Sequence, residues 1–439
     1  MDTFVPVHVD GDSVEEADPR HVANRTFESG GAGQASSPSA AIGTSEALRF
    51  RIRPDRLRSR GSTRAVDPFR KRHFRRRHPR LLLTRSSKWQ ASYDVGDDAE
   101  SPLPRHPGTE LSMRAAVVAR FGGPDVLEVS ELPDPMPGPG ELSIDVTHAA
   151  VGLVDVFIRQ GLYKDREGLP QPPYVPGLEV AGTIRELGDG VDGFVAGEPV
   201  VTVTGTGAEG GYAAISVVDA RFVVSLKGSG VDPALAVAAV PNAATAYLAL
   251  TRVAHFQSGE TMLVHGALGG LASSFPGVAR SLGASTIVGT VRAASLRTAE
   301  VSGLPYDRVI ASDEFPGALN AERFDVVIDP VGGELRTISL DVMAPLGRLL
   351  AVGNASGDWR HSVETNRLWV SNLAILGFSV GSYLPTHPES VRPAAEAALK
   401  VVSEGLVNVH TDVLPLEQAA EAHRRVEGGQ VNGRILLVP

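Results

Sequence analysis

Thr261-Met-Leu-Val-His-Gly-Ala-Leu-Gly-Gly-Leu-Ala272 is the stretch whose reading decides the fold. Its apolar residues 262–264 predict a short buried strand that stops at Gly266. Gly269 and Gly270 follow, ahead of a helical segment. Glycines at a strand-to-helix turn let the backbone approach a bulky anion, and the helix start offers it free N–H groups. The pyrophosphate of a dinucleotide suits that arrangement, with Gly266, Ala267, Leu268, Gly269, Gly270 and Leu271 as the expected contacts. Glycines after a strand also make plain turns, so the flanking sequence has to carry the decision.

Ser285-Thr-Ile-Val-Gly-Thr-Val291 is rich in β-branched residues and predicts a second parallel strand. In a dinucleotide fold the residue at its end selects the cofactor, because a carboxylate there bonds the ribose hydroxyls of NAD. No carboxylate stands between Gly283 and Glu300. Arg292 takes the strand end and Arg297 follows, and a guanidinium fork pairs well with a doubly charged 2′-phosphate. The pattern predicts NADPH over NADH; the alternative is an Arg292 that is merely solvated.

Further strands are expected at 306–310, 324–329, 347–353 and 373–378, spaced by helical segments. That alternation predicts an α/β fold with a doubly wound parallel sheet. Ligands of such sheets lie at the carboxyl ends of the strands, which brings Pro330, Val331, Val352, Gly353 and Asn354 beside the cofactor. His265 reads as a satisfied strand-end histidine rather than a catalyst. Pro276 and Gly277 predict a kinked or shortened cofactor helix, since an interior proline costs about 3 kcal/mol and a glycine adds further loss.

Upstream, short strands are expected at 113–119, 126–129, 141–148, 180–187, 199–204, 211–217 and 222–226. Their Gly/Pro turns suggest a β-barrel-like domain, with a short helix at 154–160. Residues 233–254 read as helix interrupted at Pro241-Asn242. A helix at 390–404 and a closing strand at 433–438 are expected to return to the first domain. The resulting divisions are 1–112, 113–236, 237–378 and 379–439.

The chain of 439 residues is long enough for two or three domains, and its net charge of -9 is unevenly spread. Residues 1–112 hold 19 of the 42 basic and 15 of the 51 acidic residues, leaving 23 against 36 for the rest. The acidic main body gives no electrostatic case for nucleic acid. Residues 1–112 are sparse in apolar side chains and predict a disordered extension, whose basic run 70–77 is the one segment suited to RNA, DNA or an anionic membrane surface. Met113, where a β pattern starts at once, is the expected beginning of the functional protein. Cysteine is absent, which removes disulfides, thiol nucleophiles and cysteine-held metals. No apolar run is read as a membrane span, and a soluble, cytoplasmic protein is expected.

From Met113 to Pro439 the chain resembles the medium-chain dehydrogenase/reductase superfamily, and within it the zinc-free, zeta-crystallin-like quinone oxidoreductases. The residues carrying the resemblance are Asp155-Val-Phe-Ile-Arg-Gln-Gly-Leu-Tyr163, Pro176-Gly-Leu-Glu-Val-Ala-Gly182 and Thr245-Ala-Tyr247. Others are His265-Gly-Ala-Leu-Gly-Gly270, the segment 324–333 and Gly347-Arg-Leu-Leu-Ala-Val-Gly353. The resemblance implies a Rossmann-type domain beside a GroES-like β-barrel catalytic domain. It implies Tyr163 near the nicotinamide, able to hydrogen-bond the acceptor oxygen, and Thr245 nearby, although Thr245 can also bond within its own helix. Zinc-dependent relatives carry Gly-His-Glu with cysteine ligands; here Gly177-Leu178-Glu179 stands there, and no metal site is expected. Without a Lewis acid, hydride would go to an electron-poor quinone or enone. Gly152 replaces a common asparagine, and Ala272 replaces the last glycine of the turn. The alternatives are an enoyl-thioester reductase of fatty-acid or polyketide type, or a weakly catalytic NADPH- or RNA-binding protein. Relatives are often oligomers, so a homodimer is the assembly to test.

Overall fold

The computed structural model describes residues 112–166, 168–203 and 210–439. The expectations made for the N-terminal extension, namely disorder, nucleic-acid affinity and absence from the functional protein, fall on residues outside these. Strand β1 (Ser112–Val118) pairs antiparallel with β2 (Leu127–Pro133). Strand β3 (Glu141–Val151) runs through Gly152 into helix α1 (Leu153–Arg159). Strands β4 (Glu179–Leu187), β5 (Pro199–Thr202), β6 (Ile215–Asp219) and β7 (Val223–Ser225) follow. Their alternation of apolar and polar residues puts one face on a core containing Leu142, Ile144, Ile184, Val200 and Tyr212.

Helix α2 (Pro233–Leu248) then leads into the second lobe. There β8 (Thr261–His265), α3 (Phe275–Ser281), β9 (Thr286–Val291), α4 (Leu296–Glu300) and β10 (Arg308–Ala311) form one half. The other half is β11 (Phe324–Asp329), α5 (Glu334–Ser339), β12 (Met343–Ala351), α6 (Thr365–Ser371) and β13 (Ala374–Gly377). These strands make one six-stranded sheet in the order β10-β9-β8-β11-β12-β13, and every pairing is parallel. Read from β8, that is the 3-2-1-4-5-6 order of a dinucleotide-binding sheet, whose direction of winding reverses between β8 and β11.

The chain returns through α7 (Val380–Tyr383), α8 (Val391–Ser403), β14 (Thr411–Pro415), α9 (Ala419–Glu427) and β15 (Arg434–Val438). Strand β15 lies between β14 and β3, so the last strand is built into the sheet of the first lobe as β14-β15-β3-β4-β5-β7, with β6 also on β3. The GroES-like lobe and the Rossmann-type sheet are both present.

Three expectations are corrected. Helix α2 is not interrupted at Pro241: it continues through the proline and ends in a π turn at Ala249–Val253. It is apolar on every side, and burial on all faces outweighs the lost backbone bond. Second, this run does reach a span's length and apolarity: among the described residues, 233–253 is the one helix that does, yet it is mostly buried as the core of the molecule. Third, Pro276 stands at the second position of α3, in its first turn, where a backbone N–H has no partner within the α-helix and proline is tolerated. The helix is indeed short, seven residues behind a 3-10 turn at Ala272–Ser274. Gly277 is a packing device rather than a loss, since a Cβ there would lie 2.3 Å from the Leu406 carbonyl oxygen and 2.7 Å from Val407 Cγ2.

Smaller shifts also occur. The strand expected at 211–217 is β6, four residues further on, and the one expected at 306–310 is β10, which starts at Arg308. Strand β12 begins and ends before the expected 347–353. Strand β14 and helix α9 were not anticipated.

Candidate functional site

The site lies where β8 and β11 end, at the reversal of the sheet. After His265 the backbone turns at Gly266, whose φ of +62 suits glycine. Ala267 N–H bonds the Thr290 carbonyl at 2.9 Å and Gly269 N–H bonds the Gly266 carbonyl at 2.7 Å, which close the turn. Among the described residues the N–H groups of Leu268 and Leu271 make no backbone hydrogen bond, while Gly269 is bridged to Gly433 of the turn before β15. Two unsatisfied donors on one turn, followed by the start of a helical segment, are features that suit an anion. Tyr306, a residue with no recognisable signal in the sequence, steadies the turn: its hydroxyl bonds the carbonyls of Ala267 and Ala272 at 3.1 and 3.4 Å.

The two following turns are tied together. Buried Asp329 accepts from the N–H groups of Val331 and Gly332 at 2.9 and 2.7 Å and from Arg336 Nε at 2.6 Å. Arg336 also donates to the Gly353 carbonyl at 3.1 Å, and Ala355 and Ser356 N–H bond the carbonyls of Pro330 and Val331. Pro330, Val331, Val352, Gly353 and Asn354 are thereby brought to one edge beside the glycine turn. Asn354 Nδ2 is buried with no partner among the described residues, a free donor of the kind a carboxamide or ribose oxygen would satisfy.

Arg292 caps the end of β9 and Arg297 lies on α4; both are exposed, and neither pairs with a carboxylate among the described residues. Arg292 Nη1 reaches the turn before β15, close to Gly429, and Ser295 Oγ meets Asn432 Oδ1 at 3.3 Å. The turn 428–433 of the first lobe therefore walls the arginine crevice. Thr245 is 8% exposed, and its hydroxyl donates to the Pro241 carbonyl of its own helix at 2.9 Å. That donor is spent within α2, and among the described residues no hydrogen bond joins Thr245 to the other site residues.

His265 is fully buried, with its ring nitrogens 3.0 Å from Thr290 Oγ1 and 2.8 Å from Ser339 Oγ. Burial lowers its pKa to about 4, so it is neutral and structural.

Facing the glycine turn from the first lobe is a buried charged group. A Cβ on Gly270 would lie 2.6 Å from Arg434 Cδ, so glycine is what admits the arginine. Arg434 is 6% exposed and ion-paired through Nη2 with Glu179. Asp155, 3% exposed, accepts the Gly152 N–H at 2.8 Å and closes the start of α1. Desolvation pushes its pKa up to about 7, helped by the Glu179 charge and opposed by the Gly152 hydrogen bond and Arg434. Within Gly177-Leu178-Glu179, Leu178 is apolar and Glu179 is held by Arg434.

Tyr163 follows α1. Its ring meets Phe157 and Trp359 edge-on, with centroids 6.2 and 6.0 Å away, and Trp359 comes from the loop beyond Asn354. Among the described residues its hydroxyl has no hydrogen-bond partner, and burial raises its pKa. Of two further cavities, one of about 420 Å³ lies at Thr261, Thr286, Arg308 and Phe324, the amino ends of the strands and hence the end opposite the site. Another of about 410 Å³ lies between Leu268 and Thr298 on one lobe and His410 and Gly433 on the other, alongside the glycine turn.

A GroES-like lobe joined to a six-stranded dinucleotide sheet, with the turn of one facing a buried arginine of the other, defines a nicotinamide-dependent oxidoreductase. Residues 138–228 match the alcohol dehydrogenase GroES-like domain, and residues 304–437 match the family described as zinc-binding dehydrogenase. The chain is 29% identical over 333 residues to a quinone oxidoreductase of Pseudomonas aeruginosa, covering 73% of this chain and 98% of that protein. It is 28% identical over 349 residues to the human synaptic vesicle membrane protein VAT-1 homolog, covering 74% of this chain and 86% of that one. A mycobacterial protein solved in complex with NADPH superposes with a TM-score of 0.66 at 27% identity, over 75% of this chain and all of that one. The two matched domains and these relatives support the medium-chain dehydrogenase/reductase superfamily and its quinone oxidoreductase-like family.

Proposed function

We propose that this protein is an NADPH-dependent reductase of quinones and α,β-unsaturated carbonyl compounds that works without zinc. The observation that carries the reading is the Arg434–Glu179 pair: the carboxylate of Gly177-Leu178-Glu179 is neutralised by a guanidinium, and the chain has no cysteine to complete a metal site. With no Lewis acid to ionise an alcohol, an acceptor that is already electron-poor fits best.

Bound NADPH supplies the hydride. The N–H groups of Leu268 and Leu271, with Gly266, Gly269 and Gly270 shaping the turn, would hold its diphosphate, and Arg292 with Arg297 its 2′-phosphate. Pro330, Val331, Val352, Gly353 and Asn354 would line the nicotinamide end. Tyr163 keeps its proton because burial raises its pKa, so its hydroxyl donates a hydrogen bond to the acceptor oxygen as negative charge develops there. Holding the reactants together in the interlobe cleft provides the rest.

The test is a steady-state comparison of NADPH and NADH over a panel of quinones, enones, enoyl thioesters and alcohols, repeated with Tyr163→Phe. The reading expects a lower KM for NADPH, turnover of quinones or enones, and a loss of about tenfold or more in kcat for the variant. Preference for NADH, or turnover confined to alcohols or enoyl thioesters, overturns it. A second copy of the chain is the proposed partner, supported by the open edge of β13 and by exposed Leu346, Trp369 and Val370 next to it.

A further inference from the structure

Three rings meet where the two lobes touch. Phe157 on α1 and Tyr163 beyond it belong to the first lobe, while Trp359 belongs to the loop after β12 in the nucleotide lobe. Phe157 and Trp359 have centroids 5.6 Å apart at 72°, Tyr163 and Trp359 6.0 Å apart at 88°, and Phe157 and Tyr163 6.2 Å apart at 89°. The three planes are thus close to mutually perpendicular, like the inner faces of a corner. An edge-to-face contact uses the edge of one ring and one face of the other, so the three contacts cover at most three of the six ring faces and leave the rest for stacking. Trp359 is 52% exposed, an unusual amount of bare indole for a residue fixed by two aromatic neighbours. A further link, from Arg166 to Ser382 Oγ, ties the loop of Tyr163 to α7, where the chain leaves the nucleotide lobe.

The corner has a chemical preference built into it. A flat conjugated ring can stack on one wall while touching the other two with its edges, so it gains contact from all three. A short aliphatic acceptor is too thin to do so. One wall comes from the nucleotide lobe and two from the other, so the corner exists only with the lobes together.

We propose that Trp359, with Phe157 and Tyr163, forms the acceptor subsite and selects flat, fused-ring quinones over aliphatic enones. This rests on the reductase reading above, and Trp359 is the specificity-determining residue within it.

The experiment uses the full chain, with 1,4-naphthoquinone and but-3-en-2-one as acceptors, for the wild type, Trp359→Leu and Trp359→Phe. The quantity read is the ratio of kcat/KM for the quinone to that for the enone. The ratio falls by about tenfold in Trp359→Leu and by no more than about threefold in Trp359→Phe, which keeps a ring. A ratio that moves equally in both variants, or in neither, overturns the assignment. Calorimetric titration of 1,4-naphthoquinone into the same proteins supplies the arm that needs no turnover. If the wild type reduces neither acceptor, the reductase reading fails; naphthoquinone binding that weakens about tenfold in Trp359→Leu still upholds the ring subsite, and binding that does not weaken removes it too.

Discussion

Asp155→Asn tests whether the buried carboxyl at the start of α1 is a burden on the fold at neutral pH. The asparagine is nearly isosteric, and its Oδ1 can still accept the Gly152 N–H, so the helix start keeps its closure. What changes is the charge. The native state moves the carboxyl from an ordinary 3.8 to about 7, mainly by desolvation. That displacement corresponds to about 4 kcal/mol once integrated over pH. The sign follows from which state holds the proton more tightly. The folded protein does, so the stability this proton contributes is fully present below about pH 4 and is lost as pH rises to about 7. Above that, the wild type carries the whole cost of a buried carboxylate and the variant carries none of it. Thermal melts of both proteins from pH 4 to pH 8 provide the assay, and the difference between them cancels every other titrating group. The expected result is a variant that gains on the wild type steadily between pH 4 and 7, by up to about 4 kcal/mol, and then holds level. Melting curves that stay parallel across that window refute the burial argument.

Gly277→Ala places a methyl 2.3 Å from the Leu406 carbonyl oxygen; overpacking of about 1–3 kcal/mol exceeds the helix-propensity gain of up to about 1 kcal/mol, and a melting temperature that does not fall contradicts this. Arg292→Asp is expected to reduce the preference for NADPH over NADH by about tenfold to a hundredfold, read from the two KM values, through loss of a charge-assisted contact and gain of a ribose-binding carboxylate. An unaltered ratio assigns Arg292 to solvent. Trp369→Glu is expected to shift the assembly towards monomer in sedimentation; unchanged sedimentation would free the β13 edge from that role.

Much of the second lobe was legible because its strands are short, β-branched and bounded by glycine. The expected strand 324–329 coincides with β11, and Gly266 to Leu271 form the turn the spacing implied. What escaped was decided by contacts across the fold. Pro241 breaks an isolated helix, but α2 is enclosed on all sides and its propensity is overruled. Gly277 looks weak along the chain and is required by the approach of residues 406 and 407. Strand β14 was missed because Asp412 and Pro415 carry little strand character, and it forms beside β15. Helix α9 did leave a trace, with Ala419, Ala422 and Val426 at helical spacing. Tyr306 and Arg434 hold or face the phosphate turn from distant segments, and no local pattern announces either.

The position of β15 has a consequence for how the chain is made. Residues Ala149, Ala150 and Val151 pair with Leu437, Leu436 and Ile435, which emerge only after the whole nucleotide-binding lobe has been synthesised. The Rossmann-type sheet holds all its own strands and can assemble while translation continues, whereas its neighbour must wait with an apolar strand edge uncovered. The first lobe encoded is thus the last to be finished.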